Sequence, residues 1–185
     1  MARIFSPGAD TWLRLFLVGG AVLVAGAFLL IGGIAGSDWR SGVGFTPAQP
    51  IPFSHGHHVG GLGLDCRYCH AAVELGRFAG LPPTETCMTC HSQLYTDAAM
   101  LAPLRQSLAE GRPIAWIRVV QLPDFVYFDH SIHVTKGVVC ASCHGAVEKM
   151  PLMHEAKGFF MGFCLDCHRA APTGRDITHC ATCHR

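Results

Sequence analysis

The chain has 185 residues, half of them hydrophobic and 15% charged, with a formal charge of +1, so it has room for one or two small domains and offers no basic run to a nucleic-acid partner. Past the first forty residues the apolar positions do not recur in long helical periods, which excludes a large all-helical core there. Ten Cys and twelve His stand far above ordinary usage.

Residues 1–36 read as a cytoplasmic N-terminus and a transmembrane anchor. Residues 15–35 are twenty-one consecutive positions without a charge, about 31 Å as a helix, which matches the roughly 30 Å hydrocarbon core of a bilayer. A cleaved secretory signal is the rival reading, but its apolar core spans only about 7–15 residues and ends in an Ala-x-Ala-like site, which is not obvious here. An uncleaved anchor is expected. Arg3 and Arg14 precede the span, whereas Asp38 and Arg40 follow it, a slight positive-inside bias. Trp39 is expected at the membrane interface.

Residues 37–96 carry Phe53-Ser-His55-Gly-His-His58 and then two Cys-x-x-Cys-His pentapeptides, Cys66-Cys69-His70 and Cys87-Cys90-His91. Residues 97–125 contain none and read as a linker: Leu101, Leu104 and Leu108 can line one face of a short helix stopped by Gly111, and residues 114–122 read as strand-like. Residues 126–185 open with Phe128-Asp-His130-Ser-Ile-His133, a second copy of the Phe-x-His-x-x-His pattern. Three more pentapeptides follow: Cys140-Cys143-His144, Cys164-Cys167-His168 and Cys180-Cys183-His184. A two-motif module and a three-motif module are therefore expected on either side of the linker.

Every Cys belongs to one of these five pentapeptides. Two thiols three positions apart meet the two vinyl groups of one porphyrin, and the adjoining imidazole reaches its iron, so the spacing reads as c-type haem attachment. Zinc ribbons also use paired Cys-x-x-Cys, and secreted chains pair Cys in disulfides, but neither demands a His after all five pairs. The expectation is five haem c groups, with His70, His91, His144, His168 and His184 as proximal iron ligands. Roughly thirty residues then cover each haem, too few for a protein-only core. The expected fold is a single transmembrane α-helix followed by a domain of short helices and coil wrapped on haem faces, with few strands. Haem c is attached outside the cytoplasm, so residues from about Ser37 onward are expected on the periplasmic side of the inner membrane. With all Cys consumed, none remains for a lipid anchor.

The Phe-x-His-x-x-His motifs resemble those of class III multihaem cytochromes c. The resemblance implies distal iron ligands: His55 for the haem on Cys66 and Cys69, His58 for Cys87 and Cys90, His130 for Cys140 and Cys143, and His133 for Cys164 and Cys167. In three-haem members the last haem takes its distal His from just before the middle motif. Here that stretch is Gly158-Phe-Phe-Met161-Gly-Phe-Cys164, which puts Met161 forward for the haem on Cys180 and Cys183, in competition with Met150, Met153, His154 and His179. A Met/His pair raises the potential of a haem. Seven non-proximal His and several Met are enough to close all five irons, which argues against a reductase with an open haem face. His57 is expected to bond a propionate or solvent, and Arg67, Lys136 and Arg169 to pair with propionates or stay solvated.

The single N-terminal helix, the two motifs, the linker ending in Gln121-Leu-Pro-Asp-Phe-Val-Tyr-Phe-Asp-His130, the Met161-Gly-Phe-Cys-Leu-Asp-Cys-His168-Arg stretch and the final motif together resemble the pentahaem subunits of alternative complex III. That resemblance implies an electron-transfer subunit of a bacterial quinol:electron-acceptor oxidoreductase. Its implied partners are a large iron-sulfur subunit, multi-span quinol-binding subunits and a monohaem cytochrome c. A stand-alone quinol dehydrogenase of the tetrahaem type, feeding a periplasmic reductase, is the alternative.

Overall fold

The computed structural model describes residues 6, 8–172, 174 and 176–184; Arg3, one of the cations used to orient the anchor, lies outside them. The chain divides into two compact units, the second beginning at Val43.

In the first unit, helix α1 spans Ala9–Ala35 and encloses the whole charge-free run. Its 27 residues make about 40 Å at 1.5 Å per residue, long and apolar enough to cross a membrane. None of its side chains is buried, and a helix apolar on every side suits lipid rather than a protein surface. The glycines at 19, 20, 26, 32 and 33 would weaken such a helix in water. In a bilayer the backbone must satisfy its own hydrogen bonds, which keeps the helix intact. A polar first turn carries the Asp10–Arg14 ion pair at 2.8 Å. The helix ends where Gly36 N–H bonds Gly32 O at 3.0 Å and Ser37 Oγ bonds Ile34 O at 2.7 Å. A one-turn helix α2, Asp38–Ser41, follows and stops at Gly42, whose φ of 75° is left-handed.

The second unit has no β-strand among its described residues; isolated bridges join Val43 to Glu155 and Val126 to His184. Its helices are short: α3 (Cys66–Cys69), α4 (Thr84–His91), α5 (Ala102–Glu110), α6 (His130–Thr135), α7 (Cys140–His144), α8 (Met161–Ala170) and α9 (Cys180–Cys183). Five of them carry the Cys pairs, because one helical turn puts residues i and i+3 on the same face. Asp65 starts α3 by accepting the Arg67 N–H at 2.8 Å, and Asp129 starts α6 in the same way through Ser131 N–H at 2.9 Å.

Three packing junctions hold the unit together. Helix α5, with Pro103 in its first turn and Gly111 at φ 61° closing it, packs on α4 through the buried Thr84–Ser107 hydrogen bond of 2.5 Å. A π-helical turn, Gly56–Gly61, packs on the 3₁₀ turn Val147–Lys149. Gly60 is required there, because a Cβ would overlap the Glu148 carbonyl oxygen. Helix α6 lies against the 3₁₀ turn Ala71–Glu74 that follows His70.

The strand-like expectation for residues 114–122 is corrected: the segment forms no strand, and Trp116 N–H bonds Ile114 O at 2.9 Å. The Gln49 side chain takes the place of a neighbouring strand, donating to Ile117 O at 2.8 Å and accepting Ile117 N–H at 2.9 Å. The apolar residues that suggested a strand line a cavity instead.

Among the described residues the buried apolar side chains are few: Ile51, Val73, Leu104 and Met150. The interior is largely that cavity, of about 2770 Å³, several times the roughly 300–1,000 Å³ of an ordinary ligand pocket. The chain builds a shell rather than a core of its own.

Candidate haem-binding site

The cavity takes in at least one Cys of every motif, among them Cys69, Cys87, Cys143, Cys164 and Cys180. All ten Cys are free of disulfides. Among the described residues no three His, Cys, Asp or Glu side chains converge on a point that could hold a metal ion, which a zinc ribbon requires. Burial pushes the thiols of Cys66, Cys69, Cys87, Cys143 and Cys164 above the usual cysteine range.

The histidines meet in pairs. The His130 and His144 rings are 6.3 Å apart, centre to centre, with planes 6° from parallel. His133 and His168 are 6.1 Å apart at 18°, and His58 and His91 6.2 Å apart at 57°. Two imidazole nitrogens sharing a metal at about 2 Å per bond, the length found with zinc, put the ring centres roughly 6 Å apart. Three pairs therefore have room for one iron between them. His55 neighbours His70: burial lowers its pKa first, and the His70 and His58 rings add to the effect. His144 is likewise lowered by burial and then by His130 and His70, which favours the neutral imidazole that binds metals. The ring neighbour of His184 is Phe125, at 5.8 Å, rather than an imidazole.

The repeated motif repeats in space. Phe53 stands edge-on to His55 at 4.9 Å and stacks on His58 at 4.3 Å. Phe128 stands edge-on to His130 at 4.8 Å and stacks on His133 at 4.5 Å.

Backbone carbonyls orient the rings. Nδ1 of His58 faces Ser54 O at 2.9 Å, that of His70 faces Gly80 O at 2.7 Å, and that of His91 faces Leu94 O at 3.2 Å. His130 bonds Arg77 O at 2.6 Å, His133 bonds Asp129 O at 2.8 Å, His168 bonds Ile177 O at 3.1 Å and His184 bonds Phe125 O at 3.2 Å. A carbonyl can only accept, so each Nδ1 carries the proton and each Nε2 keeps its lone pair for a metal. His55 Nδ1 is buried and has no partner.

The remaining residues singled out in the sequence are spread around the shell. Met161 opens α8, is 66% exposed and lines the cavity, as do Met153, His179 and Lys136. Met150 is 5% exposed and would meet a Cβ added at Gly145. His179 Nδ1 accepts the Ala181 N–H at 3.3 Å and so caps α9. His154 Nδ1 is 3.4 Å from Leu152 O. His57 lies edge-on to His58 at 5.2 Å. Arg67 pairs with Glu74 at 3.0 Å and Arg169 with Asp166 at 3.6 Å. Sequence reasoning missed Arg77, whose carbonyl holds His130 and whose guanidinium lies 4.6 Å from the centre of the Tyr127 ring; no local pattern marks it.

Residues 126–185 match the family model described as cytochrome c7 and related cytochrome c. The chain is 38% identical over 102 residues to the menaquinone reductase multiheme cytochrome c subunit of Nitratidesulfovibrio vulgaris, covering 55% of this chain and 48% of that protein. It is 30% identical over 125 residues to cytochrome c-552 of Porphyromonas gingivalis, covering 66% of this chain and 22% of that protein. The chain thus spans about half the length of the first relative and about a fifth of the second. The match to the cytochrome c7 model falls on the stretch that holds three of the motifs and two of the imidazole pairs, so residues 126–185 form a cytochrome c7-like domain, of a family whose members carry covalently bound haem c.

Proposed function

We propose that this chain is a membrane-anchored pentahaem subunit that carries electrons from quinol oxidation in neighbouring subunits to a cytochrome or soluble acceptor, as in alternative complex III. The observation that carries the reading is the near-parallel His130–His144 pair at 6.3 Å, a spacing at which both imidazoles would hold one iron and leave that iron no open face for a small substrate. When bound, haem supplies a one-electron Fe(III)/Fe(II) couple; the chain fixes axial ligands, spacing and burial. Covalent attachment falls to the five Cys pairs and proximal ligation to His70, His91, His144, His168 and His184. His55, His58, His130 and His133 are the distal ligands of the first four motifs. Met161, on the cavity wall, serves the fifth, whereas Met150 is taken up in packing.

The quinol side rests on the relative named as a menaquinone reductase subunit and on an N-terminal helix fit to span a membrane. The modules 37–96 and 126–185 are joined by 97–125. The domain lies on the periplasmic side of the inner membrane, where haem c is attached. Its partners are an iron-sulfur subunit, multi-span quinol-binding subunits and a monohaem cytochrome c.

Adding a menaquinol analogue to the complex purified in detergent, and to the isolated chain, tests this. Quinol gives up two electrons and two protons, so the haem α-band of the complex rises with proton release while the isolated chain stays oxidised. Equally fast reduction of the isolated chain contradicts the proposal and points to a stand-alone quinol dehydrogenase.

A further inference from the structure

The two haem modules must meet somewhere, and chain order suggests that the second motif hands on to the third. The packing says otherwise. The strand of chain leaving His70 carries the distal helix of the third motif: Ser131 N–H bonds Gly76 O at 3.3 Å and His130 N–H bonds Arg77 O at 3.4 Å. The Arg77 carbonyl also holds His130 Nδ1 at 2.6 Å, and α6 lies on the turn Ala71–Glu74. Cys66 of the first motif lies beside Cys140 of the third.

The other junctions follow in the same way. Tyr68, inside the first motif, bonds Thr89, inside the second, at 3.0 Å, and Phe53 touches the distal imidazoles of both. Helix α4, which holds the second motif, packs on α5. Phe128 joins the distal imidazoles of the third and fourth motifs. Phe159 bridges them again, 6.1 Å from His144 and 5.6 Å from Phe163, the residue before Cys164. His168 of the fourth motif is held by Ile177 O at 3.1 Å, three residues before Cys180.

We infer that the attachment sites stand in the spatial order second, first, third, fourth, fifth, so that the haem on Cys66 and Cys69 is the interior junction between the modules and those on Cys87/Cys90 and Cys180/Cys183 are the two ends. This rests on the pentahaem reading above. One electron crossing the junction oxidises one Fe(II) and reduces one Fe(III); no bond changes and no proton moves. Partners exchange electrons at the second and fifth motifs, and an electron entering at the second reaches the third only through the first.

Coulombic interaction falls with distance and is screened over about 10 Å in salt, so reducing one haem lowers the midpoint potentials mainly of its neighbours. His55→Met and His58→Met each convert one haem to Met/His ligation, which makes it reduce before the bis-His haems. Redox titration of the full chain in detergent, followed through the separate low-spin EPR signals, then counts the neighbours. The inferred order predicts that H55M lowers the midpoints of two other haems and H58M of one. One neighbour for H55M and two for H58M would establish chain order and overturn the inference. A variant that loses its haem instead gives the same count of disturbed signals, because removing an iron also shifts only its neighbours. The haem-to-protein ratio of the parent chain is read separately: a ratio under five contradicts the pentahaem reading, whatever the neighbour counts.

Discussion

His130 and His144 are fourteen positions apart in the chain, yet their rings face each other at 6.3 Å with planes 6° from parallel. The alignment has a visible cause. His144 ends α7, whereas His130 is fixed at Nδ1 by the carbonyl of Arg77, more than fifty positions earlier. A main-chain acceptor sets both the tautomer and the direction of the ring, as the outer partners of metal-bound imidazoles do.

Replacing His130 with Ala should therefore leave one iron open on a single face. The expected result is loss of one low-spin ferric EPR signal and binding of one equivalent of carbon monoxide to the reduced protein. An undiminished set of low-spin signals would remove His130 from the ligand set.

The junction between the turn Gly56–Gly61 and the turn Val147–Lys149 makes a contrast between adjacent glycines. A Cβ at Gly60 overlaps the Glu148 carbonyl oxygen, whereas one at Gly61 meets only Gly56 O at 3.8 Å and His57 Nδ1 at 3.9 Å. Gly60→Ala should lower the yield of haem-loaded protein several-fold, with Gly61→Ala close to the parent. Haem-stained gels of matched expression cultures distinguish the two.

Leu104 is 2% exposed and lies on α5, the helix that packs on the one holding Cys87 and Cys90. Leu104→Ala should cost about 2–5 kcal/mol, and Ser107→Ala, which strands the Thr84 hydroxyl, about 1–3 kcal/mol. Thermal melts should show L104A with the lower Tm, and proteolysis should cut first near residues 84–110.

The anchor is tested by placing a charge at its middle. An Arg there costs about 2.5–3.5 kcal/mol of insertion free energy, so Leu23→Arg should move a measurable fraction of the protein from the membrane pellet to the supernatant after carbonate extraction. Arg substitution at Trp12, in the first turns of α1, should leave it in the pellet.

What the sequence made legible was chemistry that is local in the chain. The Cys pairs with their following His need one helical turn each, so their positions announce themselves. His55, His58, His130 and His133 stood out because a Phe repeats at the same offset, whereas their role as ligands came only from the resemblance to class III cytochromes c; the shared wedge of Phe53 and Phe128 accounts for the repeat. The fold that brings these parts together was far less readable. The hold of Arg77 on His130 and that of Phe125 on His184 use backbone carbonyls, which every residue has, so no residue type marks them. Residues 114–122 looked like a strand because apolar side chains facing a cavity have the same composition as those facing a sheet.

Near-infrared magnetic circular dichroism of the oxidised protein, purified in detergent, tests the central claim most directly, because bis-His and His/Met low-spin haems absorb in separate bands. The account predicts the two in a four-to-one ratio, at five haems per chain. A high-spin five-coordinate haem in the oxidised protein would contradict it and make the chain a catalyst with an open iron.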